Sequence, residues 1–359
     1  MKGAKRFASG WMFFVIVAVL VGWFSAFPTS ADAQGSQGQN AVYPASGQCC
    51  MGSPAFIDAS MFLNPLTQGR DLCDTIYGIL NNLFGNTYPA TGAVIDARGI
   101  SGAMNLTCTH GTPWTEGSNT VSVRSTILLP ATGGASPTPI IISSPWVLPP
   151  NTRLVGEGDG IPSSGYTPGT TIQAASSFSG SMIQFGSSSV CPSGLCTGIS
   201  VENLTLDGQG QYINGIANPY TGDLSYVDHV SLYQIRGTGL LVSNGANNSG
   251  PYSNITFDTG GYVGASTTVC AQIRNTSGTR GIHNMTCISE TNDANAALLL
   301  DSSNNSIEDV RIVGFYDGIR VGANANAQSN VLINIIGDTA LRGERLAAAQ
   351  FHLAGWATI

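Results

Sequence analysis

Val201-Glu202-Asn203-Leu204-Thr205-Leu206 recurs along this chain as Val227-Asp228-His229-Val230-Ser231-Leu232 and as Tyr252-Ser253-Asn254-Ile255-Thr256-Phe257. It returns as Ile282-His283-Asn284-Met285-Thr286-Cys287 and Ile307-Glu308-Asp309-Val310-Arg311-Ile312. Successive copies begin 26, 25, 30 and 25 residues apart, and a weaker copy follows at Asn330-Val331-Leu332-Ile333. Self-similarity at this period is the signature of a stacked solenoid. In the second half of each copy the apolar residues sit two apart, as on a strand with one buried face. Between the first and second apolar positions the gap is three, which a straight strand cannot produce. The chain must therefore bend at one residue, and that residue is Asn, His, Asn, Asn or Asp. These include the types that best tolerate left-handed backbone angles. Each copy reads as two strands meeting at a one-residue corner, with Asn side chains placed to hydrogen-bond along the stack.

A further strand accompanies each corner: Gly215-Ile216, Gly239-Leu240-Leu241-Val242, Ala297-Leu298-Leu299-Leu300 and Gly318-Ile319-Arg320-Val321. Three short parallel strands per coil, each coil covering the apolar side of the last, make an all-β protein of the parallel β-helix type, with right-handed crossovers. The repeat lacks the tight two-residue hairpins that a barrel or sandwich needs.

Upstream, Ala93-Val94-Ile95-Asp96-Ala97, Ile127-Leu128-Leu129, Ile140-Ile141-Ile142, Thr152-Arg153-Leu154-Val155 and Thr170-Thr171-Ile172 are short apolar runs between Gly, Pro and Ser. Before them lies one amphipathic helix, roughly Asp71 to Phe84, with Leu72, Ile76, Ile79, Leu80 and Leu83 on one face and Asp71 as its cap. Its role is to cover the open end of the stack. Residues 341–359 include Glu344-Arg345-Leu346-Ala347-Ala348-Ala349, which has helical composition and reads as a C-terminal tail, a cap or a truncation point.

Residues 1–33 read as a signal peptide. Lys2, Lys5 and Arg6 precede an apolar run from Trp11 to Phe27, and Ala31-Asp32-Ala33 offers a cleavage site before Gln34. Residues 34–69 read as a linker and N-terminal extension, and 70–340 as the β-helix. The expected location is secreted or extracytoplasmic, with no stable membrane insertion after cleavage. All eight cysteines lie beyond the signal, as an oxidising compartment favours. Cys191 with Cys196, Cys73 with Cys108, and Cys270 with Cys287 are candidate disulfides, and Cys49-Cys50 have no assignable partners. None has metal-site spacing with histidine, so no metal site is expected.

The chain carries 14 Lys+Arg and 21 Asp+Glu. Without Lys2, Lys5, Arg6 and Asp32 these become 11 and 20, a net charge of -9, and no lysine remains. That excludes nucleic acid as the expected partner, and makes a strongly anionic glycan awkward without an intervening cation.

The helix, the Gly-x-Val-x-Asp-Ala strand at Gly92–Ala97, Asn151-Thr152-Arg153-Leu154-Val155-Gly156-Glu157-Gly158 and Thr170-Thr171-Ile172 resemble the opening of the pectate-lyase-like (pectin lyase-fold) superfamily. The Asn-cornered coils are similar to its right-handed β-helix, and the resemblance covers about residues 70–340. It implies a polysaccharide as partner, and either lytic elimination or glycoside hydrolysis as the reaction. The alternative is a non-catalytic carbohydrate-binding or cell-surface β-helix. Elimination needs a base and commonly a cation, whereas inverting hydrolysis needs two carboxylates a fixed distance apart. Polygalacturonases of this superfamily carry Asn-Thr-Asp, Asp-Asp, Gly-His-Gly and Arg-Ile-Lys motifs, all four of which this chain lacks.

Aligned on their corners, the coils place Asn214, Thr238, Val269, Ala296 and Asp317 in one row, where only Asp317 is acidic. Asp317 and Arg320, within Asp-Gly-Ile-Arg, are the candidate catalytic residues, while the substrate-binding residues stay open. Asp228-His229, Asp207-Gly208, Asp258, Glu157-Gly158-Asp159-Gly160 and Asp293 read as corner or turn residues. No cofactor is expected, since the acidic ligands of 157–160 are too few for calcium. Asn203, Asn254 and Asn284 lie in Asn-x-Thr sequences, and the corner-then-strand pattern produces these by itself. Oligomeric state is not readable.

Overall fold

The computed structural model describes residues 55–63, 71–84, 92–109, 111–133, 138–162, 167–191, 196–243, 246–262, 267–289, 294–322, 330–338, 342–346 and 352–353. Across them the chain winds as a parallel β-helix. A 14-stranded sheet runs Ala55–Asp58, Ala93–Asp96, Ser125–Leu128, Thr152–Val155, Ser200–Gln211, Tyr226–Ile235, Tyr252–Asp258, Ile282–Ile288, Ser306–Val313, Val331–Asp338 and His352–Leu353. The shorter strands Thr107–Cys108, Ile140–Ile142 and Thr171–Ala174 pair along its second arm. A second, 8-stranded sheet runs from Trp146–Leu148 through Ser181–Phe185, Asn214–Asn218, Thr238–Ser243, Val269–Arg274, Ala296–Asp301 and Asp317–Val321 to Arg342–Leu346.

The corners are as the repeat requires. Asn203, His229, Asn254, Asn284, Asp309 and Asn334 have φ of 54°, 51°, 54°, 52°, 55° and 52°. Ladder pairing passes through them in register, from Glu202↔Asp228 on one side to Leu204↔Val230 on the other. A left-handed residue costs a β-branched side chain dearly and an Asn little. The side chains also connect the coils: Asn284 Nδ2 donates to Asn254 Oδ1 at 2.6 Å, and Asn254 Nδ2 to Asp228 Oδ1 at 2.7 Å. Further along, Asn334 Nδ2 donates to Asp309 Oδ1 at 2.6 Å. In the earlier coils the two arms are separate strands, as with Thr152–Val155 and Thr171–Ala174.

Inside, Val201, Leu204, Leu206, Val227, Val230, Leu232 and their equivalents are fully buried. Phe257 and Phe315 meet at 6.2 Å, and Trp114 packs edge-on against Trp146 at 6.0 Å. The helix is Leu72–Phe84, and Leu72, Ile76, Ile79 and Leu80 join this core at its N-terminal end. Asp71 caps it, accepting from the Asp74 amide at 3.0 Å, while its other oxygen accepts from the Thr109 amide at 2.8 Å. Cys73–Cys108, Cys191–Cys196 and Cys270–Cys287 are disulfide-bonded. Cys49, Cys50 and the signal and cleavage segment lie outside the described residues.

One expectation is corrected and two features are added. Ala55–Asp58, inside the stretch read as linker and N-terminal extension, is a strand that pairs with Ala93–Asp96 and extends the stack by a rung. Arg342–Leu346 is a strand on Asp317–Val321 and not part of a helix, because an open sheet edge offers backbone partners that outweigh the helix propensity of Glu, Arg and Leu. Antiparallel hairpins do occur outside the repeat, at Gly111–Thr112, Thr115–Glu116 and Asn119–Thr120.

Candidate functional site

The second sheet departs from simple alternation. Cys270 and Ala271, Ala297 and Leu298, and Gly318 and Ile319 are consecutive buried pairs. Cys270 points inward, since it bonds Cys287 of the first sheet. Two successive inward residues bend the strand; the residue before them (Val269, Ala296, Asp317) is buried as well, and the one after (Gln272, Leu299, Arg320) is half-buried. Space at the first inward residue is short: a Cβ on Gly239 would lie 2.5 Å from the Phe257 ring. Glycine is thus a packing requirement at Gly239 and Gly215, while the same row accommodates Cys270 and Ala297 in later coils.

That bend assembles the expected pair. Asp317 shares its row with Thr238, Val269 and Ala296, and Asn214 is level with Thr238, whose amide its Oδ1 accepts at 2.9 Å. The Asp317 side chain is 1% exposed and that of Arg320 27%. Arg320 Nη1 stands 3.4 Å from Asp317 Oδ2 and donates to Asn295 Oδ1 at 2.9 Å. Asp317 Oδ1 is buried with no hydrogen-bond partner. A buried acceptor left unmet costs on the order of 1–3 kcal/mol, and such groups call for an explanation.

Among the described residues no second carboxylate shares the row, which continues past Asp317 to Arg342. The positions level with Arg320 are Leu299, Gln272, Leu241 and Ala217 on one side and Arg345 on the other. Asp301 ends its strand five residues beyond the level of Asp317, roughly 16 Å along the sheet. That is outside the separation of either carboxylate-pair hydrolysis.

The remaining sequence candidates are held in turns and corners. Asp207 accepts from the Gln209 amide and side chain at 2.9 and 2.6 Å, and Asp258 from the Gly260 amide at 2.7 Å. Glu157 lies 3.4 Å from Arg98, and Asp159 accepts from the Ser231 hydroxyl at 3.0 Å. His229 Nδ1 is 3.0 Å from Asp228, and Asp293 lies outside the described residues. One grouping among the described residues is tight enough for an ion, Asp71 with Cys73 and Cys108. Its sulfurs are already joined to each other.

Sequence reasoning missed two clusters. On the first sheet, Glu202 Oε1 accepts from Arg153 Nε at 2.7 Å and from the Ser200 and Tyr226 hydroxyls, each at 2.8 Å, while Oε2 accepts from Arg153 Nη2 at 2.5 Å. Burial works to raise the Glu202 carboxyl, but these donors and the guanidinium charge outweigh it and hold it below its ordinary value. The other cluster surrounds Tyr212. The Arg236 guanidinium lies 4.0 Å from the Tyr212 ring centre and donates to its hydroxyl. Both clusters link residues in different coils, so only the register brings them together.

No family model matches this sequence, and no curated protein does. Among solved structures, ORF18 of Geobacillus virus E2 is similar at 12% identity and a TM-score of 0.38, covering 78% of this chain and 52% of that one. This chain thus spans about half the length of the viral protein. The A-module of the mannuronan C-5 epimerase AlgE4 of Azotobacter vinelandii is similar at 13% identity and a TM-score of 0.31, covering 78% of this chain and 76% of the module. At these scores neither neighbour bears on what this chain does.

Proposed function

We propose that this chain is an exported β-helix protein that acts on a polysaccharide at the edge formed by Asp317, Arg320 and Asn295. The supporting observation is the buried carboxylate oxygen of Asp317, unmet by any partner and beside a guanidinium. Buried, charged, incompletely paired groups collect at sites of chemistry. The sequence resemblance to the pectate-lyase-like superfamily supports a polysaccharide as substrate. Export is supported by the three disulfides, and no helix among the described residues is long and apolar enough to cross a membrane.

One base and one cation suit lytic elimination better than hydrolysis. Asp317 takes the proton from the carbon bearing a uronate carboxyl. Those electrons form the ring double bond, the adjacent glycosidic C–O bond breaks, and the leaving oxygen collects a proton from water. Arg320 balances the charge that develops on the carboxyl. A second reading, binding without turnover, is favoured by the closure of Asp317, whose carboxylate meets a substrate only if the edge opens.

Incubation with pectin, polygalacturonate, alginate and xylan separates these readings. Ultraviolet absorbance of unsaturated product, lost in Asp317→Asn, is the expected result. Reducing ends without that absorbance would mean hydrolysis, and retained binding without product would establish the second reading.

A further inference from the structure

Tyr212 and Tyr262 stand among the exposed large side chains, at 62% and 41%. Each ring rests on a firm support. Tyr212 has the Arg236 guanidinium against it. Tyr262 lies on Gly210, two residues before Tyr212 in the same turn, where an added Cβ would be 2.5 Å from its Cε1. Gly210 also has φ +66°, so close approach and backbone both demand glycine there. Arg236 Nε is buried with no hydrogen-bond partner among the described residues. Beside the rings lie amides and carboxylates. Gln209 bonds Asp207, Gln211 Nε2 donates to the Ala175 carbonyl, and Asp258 shares a ladder row with Tyr233 and Asp207. The nearby surface is aromatic and polar, with no exposed aliphatic side chain in residues 207–212, 233–236 and 258–262. Rings backed on rigid supports stack at low entropic cost. The C–H face of a pyranose suits them better than the aliphatic side chains of a protein.

The position of this platform gives it a consequence. Tyr212 is two residues before Asn214, the residue level with Thr238 in the row that contains Asp317. Four coil steps of ~4.8 Å separate Asn214 from Asp317, about 19 Å. We propose that Tyr212, Tyr262 and Arg236 form a sugar-stacking subsite that holds a polysaccharide chain some four coils from Asp317. It rests on the polysaccharide reading of that edge and makes the ligand a polymer. Taking one sugar per coil step, about four units bridge the two points.

The test is isothermal calorimetry with oligosaccharides of increasing length, from neutral xylan and glucomannan and from polygalacturonate. Affinity for one series should climb until about four or five units and then level off. Tyr212→Ala should weaken binding about tenfold. Tyr212→Phe should keep it within about twofold, since the stacking face survives. Thermal melting of both variants checks that the fold is intact. Unchanged affinity in Tyr212→Ala, or affinity independent of length, overturns the subsite. So does wild-type self-association abolished by Tyr212→Ala, which would make the platform a contact for a second copy. Asp317→Asn separates the two ideas: product lost with binding kept supports the subsite beside a reactive edge. Product from wild type with binding indifferent to Tyr212 rejects the subsite alone. No binding to any member of the panel removes both.

Discussion

Replacing Glu202 by Gln keeps the shape of the side chain and removes its charge. In the native fold both carboxylate oxygens are occupied, with Oε1 taking three donors and Oε2 one. Breaking a buried pair typically costs 3–5 kcal/mol. Arg153, though, is 53% exposed and returns to water when released, which brings the expected loss to about 2 kcal/mol. For a chain of this size that lowers the melting temperature by roughly 4 °C. The pH dependence gives a second handle. Glu202 is held below its ordinary value, so its contribution is fully present above the unfolded carboxylate value of about 4.3 and disappears as pH falls through the depressed folded value. Melting curves by circular dichroism at pH 7 should separate wild type from Glu202→Gln, and the gap should close steadily below about pH 4. Equal melting temperatures at pH 7, or a gap unchanged on acidification, would refute the reasoning.

Asn254→Ala should lower stability by about 2 kcal/mol in urea titrations, from left-handed strain plus the lost side-chain bonds to Asp228 and Asn284. Asn254→Gly, which accepts the backbone angle, should cost about half as much. Joint replacement of Cys270 and Cys287 by Ala opens a bridge spanning 17 residues. A loss of about 3 kcal/mol is expected, and adding a reductant to the variant should then matter less than adding it to wild type. Asp317→Asn should raise the unfolding free energy in urea titrations by about 1 kcal/mol while eliminating product, because a functional group kept at a cost is relieved by neutralising it.

The repeat was legible because one physical requirement recurs with each coil. An apolar spacing of three, with an Asn-type residue in the gap, has one economical solution, and His229 at φ 51° shows that the position rather than the residue type carried the signal. The row containing Asp317 could be aligned for the same reason. Local competition hid the rest. Arg342–Leu346 has helical composition and becomes a strand because Asp317–Val321 presents an edge. The Arg153–Glu202–Tyr226 clasp depends on partners 49 and 24 residues apart. Nothing in the sequence near Glu202 announces them, although Arg153, Ser200 and Tyr226 occupy equivalent rungs. Tyr212 gave no periodic signal because its support, Arg236, lies one coil on.

The left-handed corner makes the chain behave like a text read in frame. Losing one residue from Tyr252–Asp258 would turn its oily row outward while its neighbours stayed put, leaving a misfit layer. Excising a whole unit, such as 227–251, would leave Val201 facing Tyr252, and the corner column would still line up. Such a molecule can grow or shrink only in whole storeys, and each storey brings its own lining and its own stretch of outer wall.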